Sequence, residues 1–481
     1  MGKYRLRTLC CVLGVMALLP LHATAQQHPA NDFLLPETEP DDTFYRVSPK
    51  EISRTEHGHL IRYRPANPTA GLEHAQRSEL LIYQSAKNDG KDTARAVSGI
   101  VAIPNGPTPD GGWPIVSWAH GTVGSADKCA PSMDSDALAP IDPVDPENPL
   151  PLTVHRKINR APHAMLNAFL DARWAVVMTD YEGLGTAGPH PYLNGPSEAR
   201  GVLDMVRAAR QFGDKEHIKF SNKFAIVGHS QGGHAALWAA HLQEEWIPEF
   251  DLVGVAAIAP ASNPSNLQFL PALANDNPNN DGYREALPFL PLATVGALRG
   301  DPTLDLGKVF TDEGLSRFKE DIDQYCRTEL SAKDQWGRPP SEFFEKPFPR
   351  IIPEIRPWEA LAKQLLEMHP NLKIGAPIRI SQANGDTRVT PSGTRALARQ
   401  LNSTNEGGTS PPAVCYMQYA RGGVAIPDPE HLGEHFGILE TDIEPMVKWL
   451  KIKFGTVGQE DCQAIPPFTM AEGRPAPTAS Q

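Results

Sequence analysis

A short apolar run, Phe224-Ala-Ile-Val227, leads directly into Gly228-His-Ser-Gln-Gly232. That pentapeptide runs into the helix-forming stretch His234-Ala-Ala-Leu-Trp-Ala-Ala-His-Leu242. No other feature constrains the chain as tightly. The apolar run suits a strand buried on both faces, and the Ala/Leu stretch suits a helix. A strand that turns at once into a helix needs small residues on either side of the bend, and Gly228 and Gly232 supply them. Ser230 is then held at the tip of the turn. Its hydroxyl is exposed there, and the next backbone N–H, that of Gln231, is aimed into the same space. Gly-x-Ser-x-Gly alone recurs by chance. Between this strand and this helix it reads as a nucleophile elbow rather than an ordinary Gly-rich turn.

Other β-like runs recur on both sides of the elbow. With 224–227 they are 79–83, 97–103, 115–118, 175–179, 253–259, 378–381 and 414–419, eight in all. Between the fourth and fifth lies a helix-like segment, 196–211, with Val202, Val206 and Ala209 on one face and Pro196 where a first-turn proline is tolerated. Alternating strand and helix patterns predict a mostly parallel sheet covered by helices. The alternation breaks at 263–372, which holds Pro, Asn and amphipathic helix signals at 311–322 and 357–368. That stretch is expected to form an inserted helical cap on a core of 76–262 and 373–465, although a separate domain would read similarly. Residues 26–75 are polar and Pro-rich, an N-terminal extension packed on the surface or partly loose. Residues 466–481 read as a disordered tail. A chain of 481 residues with 40% hydrophobic content can bury a large core, as one elaborated α/β domain or two average ones.

The first 25 residues read as a cleavable signal peptide. Lys3, Arg5 and Arg7 precede an apolar segment at 9–19 that is too short to favour a membrane span, and Ala23-Thr-Ala25 suits signal peptidase. The expectation is a secreted or periplasmic protein. Cleavage removes three bases and no acid, leaving 42 bases against 57 acids and moving net charge from −12 to −15. That balance argues against nucleic acid or anionic lipid as an electrostatic partner. Four cysteines remain: Cys129, Cys326, Cys415 and Cys462. An even count in an exported chain suggests two disulfides, against a reading as buried thiols. Of three connectivities, Cys415 with Cys462 is favoured because the two flank the C-terminal segment, leaving Cys129 with Cys326.

A serine hydroxyl needs a base to take its proton, and the base needs a third group to orient it. With an elbow of this type the chain order is Ser, then acid, then His. Asp386 follows a strand-like run and precedes a helix-like stretch at 390–401, so it is the expected acid. Asp180 and Glu182 precede the elbow and are poorer candidates. The base is His431 or His435. His435 is favoured because it lies nearer the last helical segment, 443–454, and the other histidine would then be structural. The oxyanion hole needs two backbone donors. One is expected from Gln231, the other from Gly121 or Thr122 in Trp118-Ala-His-Gly-Thr122. His120 is expected to brace that loop, and Asp180-Tyr-Glu-Gly-Leu-Gly185 to shape the cleft edge.

Three competing patterns carry less weight. His431-Leu-Gly-Glu-His435 matches an inverted zinc-protease pattern, but Gly433, Gly437, Pro427 and Pro429 weaken a helix there and no third ligand stands out. Asn277-x-Asn279-x-Asp281-Gly282 resembles the start of a Ca²⁺ loop, yet its twelfth position is Pro288 where a bidentate Glu is needed. Trp336, Phe343, Phe344, Phe348 and Trp358 could line an acyl tunnel but read more simply as the core of the cap.

Together these residues resemble the secretory lipase family of α/β-hydrolases, over about 78–462. The features that carry the resemblance are His120-Gly-Thr122 followed by Cys129-Ala-Pro-Ser132, Asp180 to Gly185, the elbow, and Asn384-Gly-Asp386 before a helix. The resemblance implies an α/β-hydrolase fold with a mostly parallel eight-stranded sheet and a helical cap between the sixth and seventh strands. It implies a Ser230–Asp386–His435 triad with no metal or organic cofactor, and the two disulfides paired as above. It also implies hydrolysis of ester or lipid substrates with acyl chains; transient contact at a lipid interface, as against action on soluble esters, and the oligomeric state are left open. Two alternatives stand beside it: a serine peptidase on the same fold, and a non-catalytic binding protein.

Overall fold

The computed structural model describes residues 40–52, 56–134, 158–262, 286–332, 334–345, 358–405, 414–420 and 433–466. The signal segment, the Asn277–Asp281 pattern, Phe348, His431 and nearly all of the C-terminal tail lie outside the described residues.

Among the described residues nine strands form one sheet. They are β1 Leu60–Pro65, β2 Ala75–Ala86, β3 Ala94–Pro104, β4 Trp113–Ala119, β5 Ala175–Thr179, β6 Phe220–His229, β7 Asp251–Ile258, β8 Ile378–Ala383 and β9 Cys415–Tyr419. Their order is β1-β2-β3-β5-β4-β6-β7-β8-β9. The first three strands form an antiparallel meander and β3 pairs antiparallel with β5. From β5 to β9 every pairing is parallel.

The architecture is the expected α/β-hydrolase sheet, with one strand more than the eight read from the sequence. The extra strand, β1, lies in the segment taken as a surface extension. Its sequence, Leu-Ile-Arg-Tyr-Arg-Pro, buries only Leu60, because an edge strand with one neighbour has no need of a continuous apolar run.

Interior strands alternate between two cores, following the two-residue period of a strand. In β6, Phe224 and Ile226 face one cluster. It includes Val202 and Val206 from the Gly195–Glu216 helix, Leu237 from the Gln231–Trp246 helix and Leu397 from the Pro391–Asn405 helix. Ala225 and Val227 face another cluster with Phe169, Phe436 and Trp449, from the helices His163–Asp171, Gly433–Thr441 and Ile443–Lys453. Burial on both faces is why these strands read as unbroken apolar runs.

The Gly433–Thr441 helix corrects an expectation. Gly433 and Gly437 were read as weakening any helix there, at a cost of about 1 kcal/mol each relative to Ala. The segment nevertheless buries Ile438 and Leu439 completely or nearly so, worth about 1.5–3 kcal/mol apiece. Tertiary burial outweighs local propensity.

Between β7 and β8 the described residues form a helical insertion that includes Phe289–Gly300, Asp312–Asp321 and Glu359–Glu367. Its centre is aromatic. Trp336 lies 4.8 Å from Phe343 and 6.0 Å from Phe310 between ring centroids, and Phe310 lies 5.3 Å from Phe344. These rings are buried against each other and are core, not tunnel lining. The disulfide Cys129–Cys326 ties the insertion to the segment after β4. Beside it Gly124 pairs with Cys326, and Arg327 N–H donates to Val123 O at 2.8 Å. The second disulfide, Cys415–Cys462, fastens β9 to the C-terminal segment. No helix among the described residues is long and apolar enough to cross a membrane.

Candidate active site

Ser230 sits between β6 and the Gln231–Trp246 helix with φ 59° and ψ −119°. A non-glycine residue held at positive φ is strained, and surrounding contacts must impose it. They do. Ser230 N–H donates to Ile258 O at 2.9 Å, and Ser230 O accepts from Ala261 N at 2.9 Å and His234 N at 3.2 Å. A Cβ at Gly228 would stand 2.0 Å from Gly232 O, and one at Gly232 would stand 1.9 Å from Ala119 O. Both glycines are therefore obligatory: the elbow is pressed against its own helix start and the end of β4.

Asp386 occupies the turn after β8. Its Oδ1 accepts from the backbone N–H of Arg388 at 2.9 Å and of Val389 at 2.8 Å. Its Oδ2 meets His435 Nδ1 at 2.8 Å. Burial alone would raise this carboxyl's pKa. The His435 charge and hydrogen bond, with the two N–H groups, outweigh burial and hold it below its ordinary value of 3.8. His435, on the Gly433–Thr441 helix, is 2% exposed and Asp386 3%. With Nδ1 donating to the carboxylate, Nε2 carries the lone pair of the neutral ring.

His229, beside the serine, joins these parts. Its ring lies 4.5 Å from the His435 ring between centroids, and its Nε2 donates to His435 O at 2.8 Å. Burial, then the neighbouring His435, pushes its pKa down to about 3, so it stays neutral. On the other side runs the loop after β4. A Cβ at Gly121 would lie 3.3 Å from His229 O and 3.5 Å from Ser230 Cβ. Thr122 Oγ1 lies 2.9 Å from Tyr192 Oη. Among the described residues no backbone carbonyl accepts from the N–H of Gln231 or Thr122.

His120 braces this loop. Its Nδ1 lies 2.7 Å from Gly121 O and its Nε2 3.3 Å from Asp180 O. Burial lowers its pKa to about 4, so the ring is neutral and has one N–H. The shorter contact assigns that proton to Nδ1. Tyr181 Oη donates to His120 O at 3.0 Å.

Asp180 is occupied elsewhere. It accepts from Ser98 Oγ at 2.6 Å, from Ser132 N at 3.0 Å and from Ser132 Oγ. It thus ties the Cys129–Ser132 stretch to the end of β5. Glu182 accepts from Ser197 Oγ at 2.6 Å and pairs with Arg299 at 3.0 Å.

A cavity of about 40 Å³ lies beside Gly121 and His229, with Trp118, Leu166, Met178 and Phe436 on its apolar side. Among the described residues the one cluster of metal-ligating type is Cys415, Glu460 and Cys462. Two of its three members are joined as a disulfide.

The secretory lipase family model matches residues 152–268, the stretch from before β5 through the elbow to just past β7. Secreted triacylglycerol lipase LIP4 of Malassezia globosa is 27% identical over 386 residues, covering 78% of this chain and 75% of that protein. The chain is thus similar to the secretory lipases over this central stretch. Solved structures agree on the fold. Candida antarctica lipase A in its closed state superposes with a TM-score of 0.61 at 19% identity, covering 91% of each chain. A rice cell wall degrading esterase, LipA of Xanthomonas oryzae, superposes at 0.58 and 18%, covering 83% of this chain and 98% of that one.

No sequence pattern singled out His229, which links the elbow to His435, or Tyr192 and Glu198, which lie behind the loop after β4. The first could have been suspected from its place beside the nucleophile. The other two carry no local pattern.

Proposed function

We propose that the protein is an exported lipase or esterase that cleaves carboxylic esters through an acyl-enzyme on Ser230. The observation that supports this most is the 2.8 Å Asp386–His435 contact joined, through His229, to an elbow that holds Ser230 at positive φ. In the first step Ser230 Oγ bonds to the ester carbonyl carbon. Its proton passes to His435 Nε2, and the carbonyl electron pair moves onto oxygen. The N–H groups of Gln231 and of the Gly121–Thr122 turn receive that oxyanion. Collapse breaks the bond to the alcohol oxygen, which takes the proton from Nε2. Water then repeats the sequence on the acyl-enzyme with the same imidazole as base. Asp386 keeps the proton of the neutral ring on Nδ1 and stabilises the imidazolium. Export rests on the N-terminal leader and on relatives named as secreted lipases, and acyl esters as substrates on relatives named as lipase and esterase.

The test is hydrolysis of p-nitrophenyl esters from C2 to C16 by the mature protein beside Ser230→Ala, with peptide anilides in parallel. Serine-dependent ester turnover is expected, and its chain-length profile assigns lipase or esterase. Serine-dependent anilide cleavage without ester cleavage would make it a peptidase. No serine-dependent turnover on either would leave a binding protein.

A further inference from the structure

Behind the elbow lies a buried carboxylate that the mechanism above does not use. Glu198 stands in the first turn of the Gly195–Glu216 helix and is 0% exposed. Its Oε1 accepts from Gln231 Nε2 at 2.7 Å and from the backbone N–H of Leu193 at 2.9 Å. Its Oε2 meets His234 Nδ1 at 2.9 Å. A buried carboxylate is costly unless such donors surround it.

Each arm leads to one side of the oxyanion hole. Gln231 is the residue after the nucleophile. Its side-chain amide is held from two sides, by Glu198 and by His190 Nε2 at 2.7 Å. His190 is fit to accept there. Burial lowers its pKa, so the ring is neutral. Its Nδ1 donates to Glu182 O at 2.9 Å, which leaves Nε2 as the acceptor. The second arm runs through Leu193, which sits at φ 59°, a conformation that costs a non-glycine residue energy. The bond from its N–H to Glu198 helps hold it so. That fixes the adjoining Tyr192, whose hydroxyl contacts Thr122 Oγ1 at 2.9 Å.

We propose that Glu198 is a positioning residue that sets both donors of the oxyanion hole, Gln231 through its side chain and Thr122 through Leu193 and Tyr192. The inference rests on the ester-hydrolase reading above. A carboxylate suits the task because its Oε1 accepts from both Gln231 Nε2 and Leu193 N–H, while its Oε2 faces a ring whose other nitrogen lies 2.7 Å from Met368 O. A glutamine loses the charge that strengthens both of those bonds, and sets donor against donor if its NH₂ turns toward them. Oxyanion stabilisation depends on donor placement to within a few tenths of an ångström, so a small shift at both donors acts on kcat more than on KM.

The experiment is steady-state kinetics on p-nitrophenyl butyrate, with melting temperature, for the full chain and for Glu198→Gln, Gln231→Ala, Tyr192→Phe and the two double variants that include Glu198→Gln. Gln231→Ala keeps its backbone N–H and loses only the side-chain anchor. A fall in kcat of about tenfold to a hundredfold is expected for Glu198→Gln, with little change in KM. Smaller falls are expected for the other two singles, and the doubles should show less than the product of their singles because they share one path. A lower melting temperature with kcat unchanged per folded molecule, or strictly multiplicative doubles, would overturn the proposal. If Glu198→Gln does not fold, the two remaining singles decide, and unchanged kcat in both overturns it. If the unaltered protein is no more active than Ser230→Ala, the functional reading has failed first.

Discussion

Asp386→Asn is the substitution whose cost can be worked from the site. Two of the three main contacts survive it. The Asn oxygen still accepts from Arg388 N and Val389 N, which now sit at 2.9 and 2.8 Å, so the turn after β8 should persist. The third is reversed. Where Oδ2 now faces His435 Nδ1 at 2.8 Å, the amide presents an NH₂. Two donors cannot share that gap, so the imidazole moves its proton to Nε2 and offers Nδ1 as acceptor. The nitrogen assigned to take the serine proton is then already protonated. The tautomer trap in the Ser-His-Asp template costs about 10⁴-fold in kcat, a little over 5 kcal/mol at the transition state. The assay is p-nitrophenyl butyrate hydrolysis with a Ser230→Ala background, beside thermal unfolding to show that the variant is folded. Little change in KM is expected. A folded Asp386→Asn within tenfold of the unaltered activity would refute the reasoning, as would His435→Ala retaining activity that His431→Ala loses.

Three further outcomes follow from the same geometry. Asp180 is raised from 3.8 to about 6 by burial against its Ser132 and Ser98 donors. The folded state therefore holds a proton that the unfolded chain releases, and stability falls as pH rises from about 4 to 6, by on the order of 3 kcal/mol. Asp180→Asn should flatten that part of a melting-temperature profile, and an unchanged slope would assign the titration elsewhere. Replacing Cys129 and Cys326 together by Ala removes a link across 197 residues. It should cost on the order of 5 kcal/mol in the chain-entropy account, read by urea unfolding, and should lower kcat because the link anchors the segment next to Thr122. Gly232→Ala places a Cβ 1.9 Å from Ala119 O. It should cost at least about 1–3 kcal/mol and most of the activity, and a variant with normal unfolding and turnover would contradict the packing described for the elbow.

What could be read from the sequence divides by how local its cause is. The elbow was legible because its backbone demands small residues at two fixed offsets and an unbroken apolar strand before them. The interior strands were legible because burial on both faces writes itself as an apolar run. β1 was not, since a single neighbour asks for only one buried residue, Leu60. The Gly433–Thr441 helix was misjudged because its stability is borrowed from a core formed by residues far away in the chain. Chain order pointed to Asp386 and His435, but only the folded chain brings the two to 2.8 Å. Glu198 marks the far end of the scale. Its partners on the elbow helix lie 33 and 36 positions away, and in sequence it is one more acidic residue near a helix start, where a glutamate is unremarkable. Its burial and its three hydrogen-bond partners are properties of the folded chain alone. A second such group, unmarked in sequence and shared by two catalytic donors, is therefore to be sought by tracing hydrogen bonds outward from the donors rather than by motif.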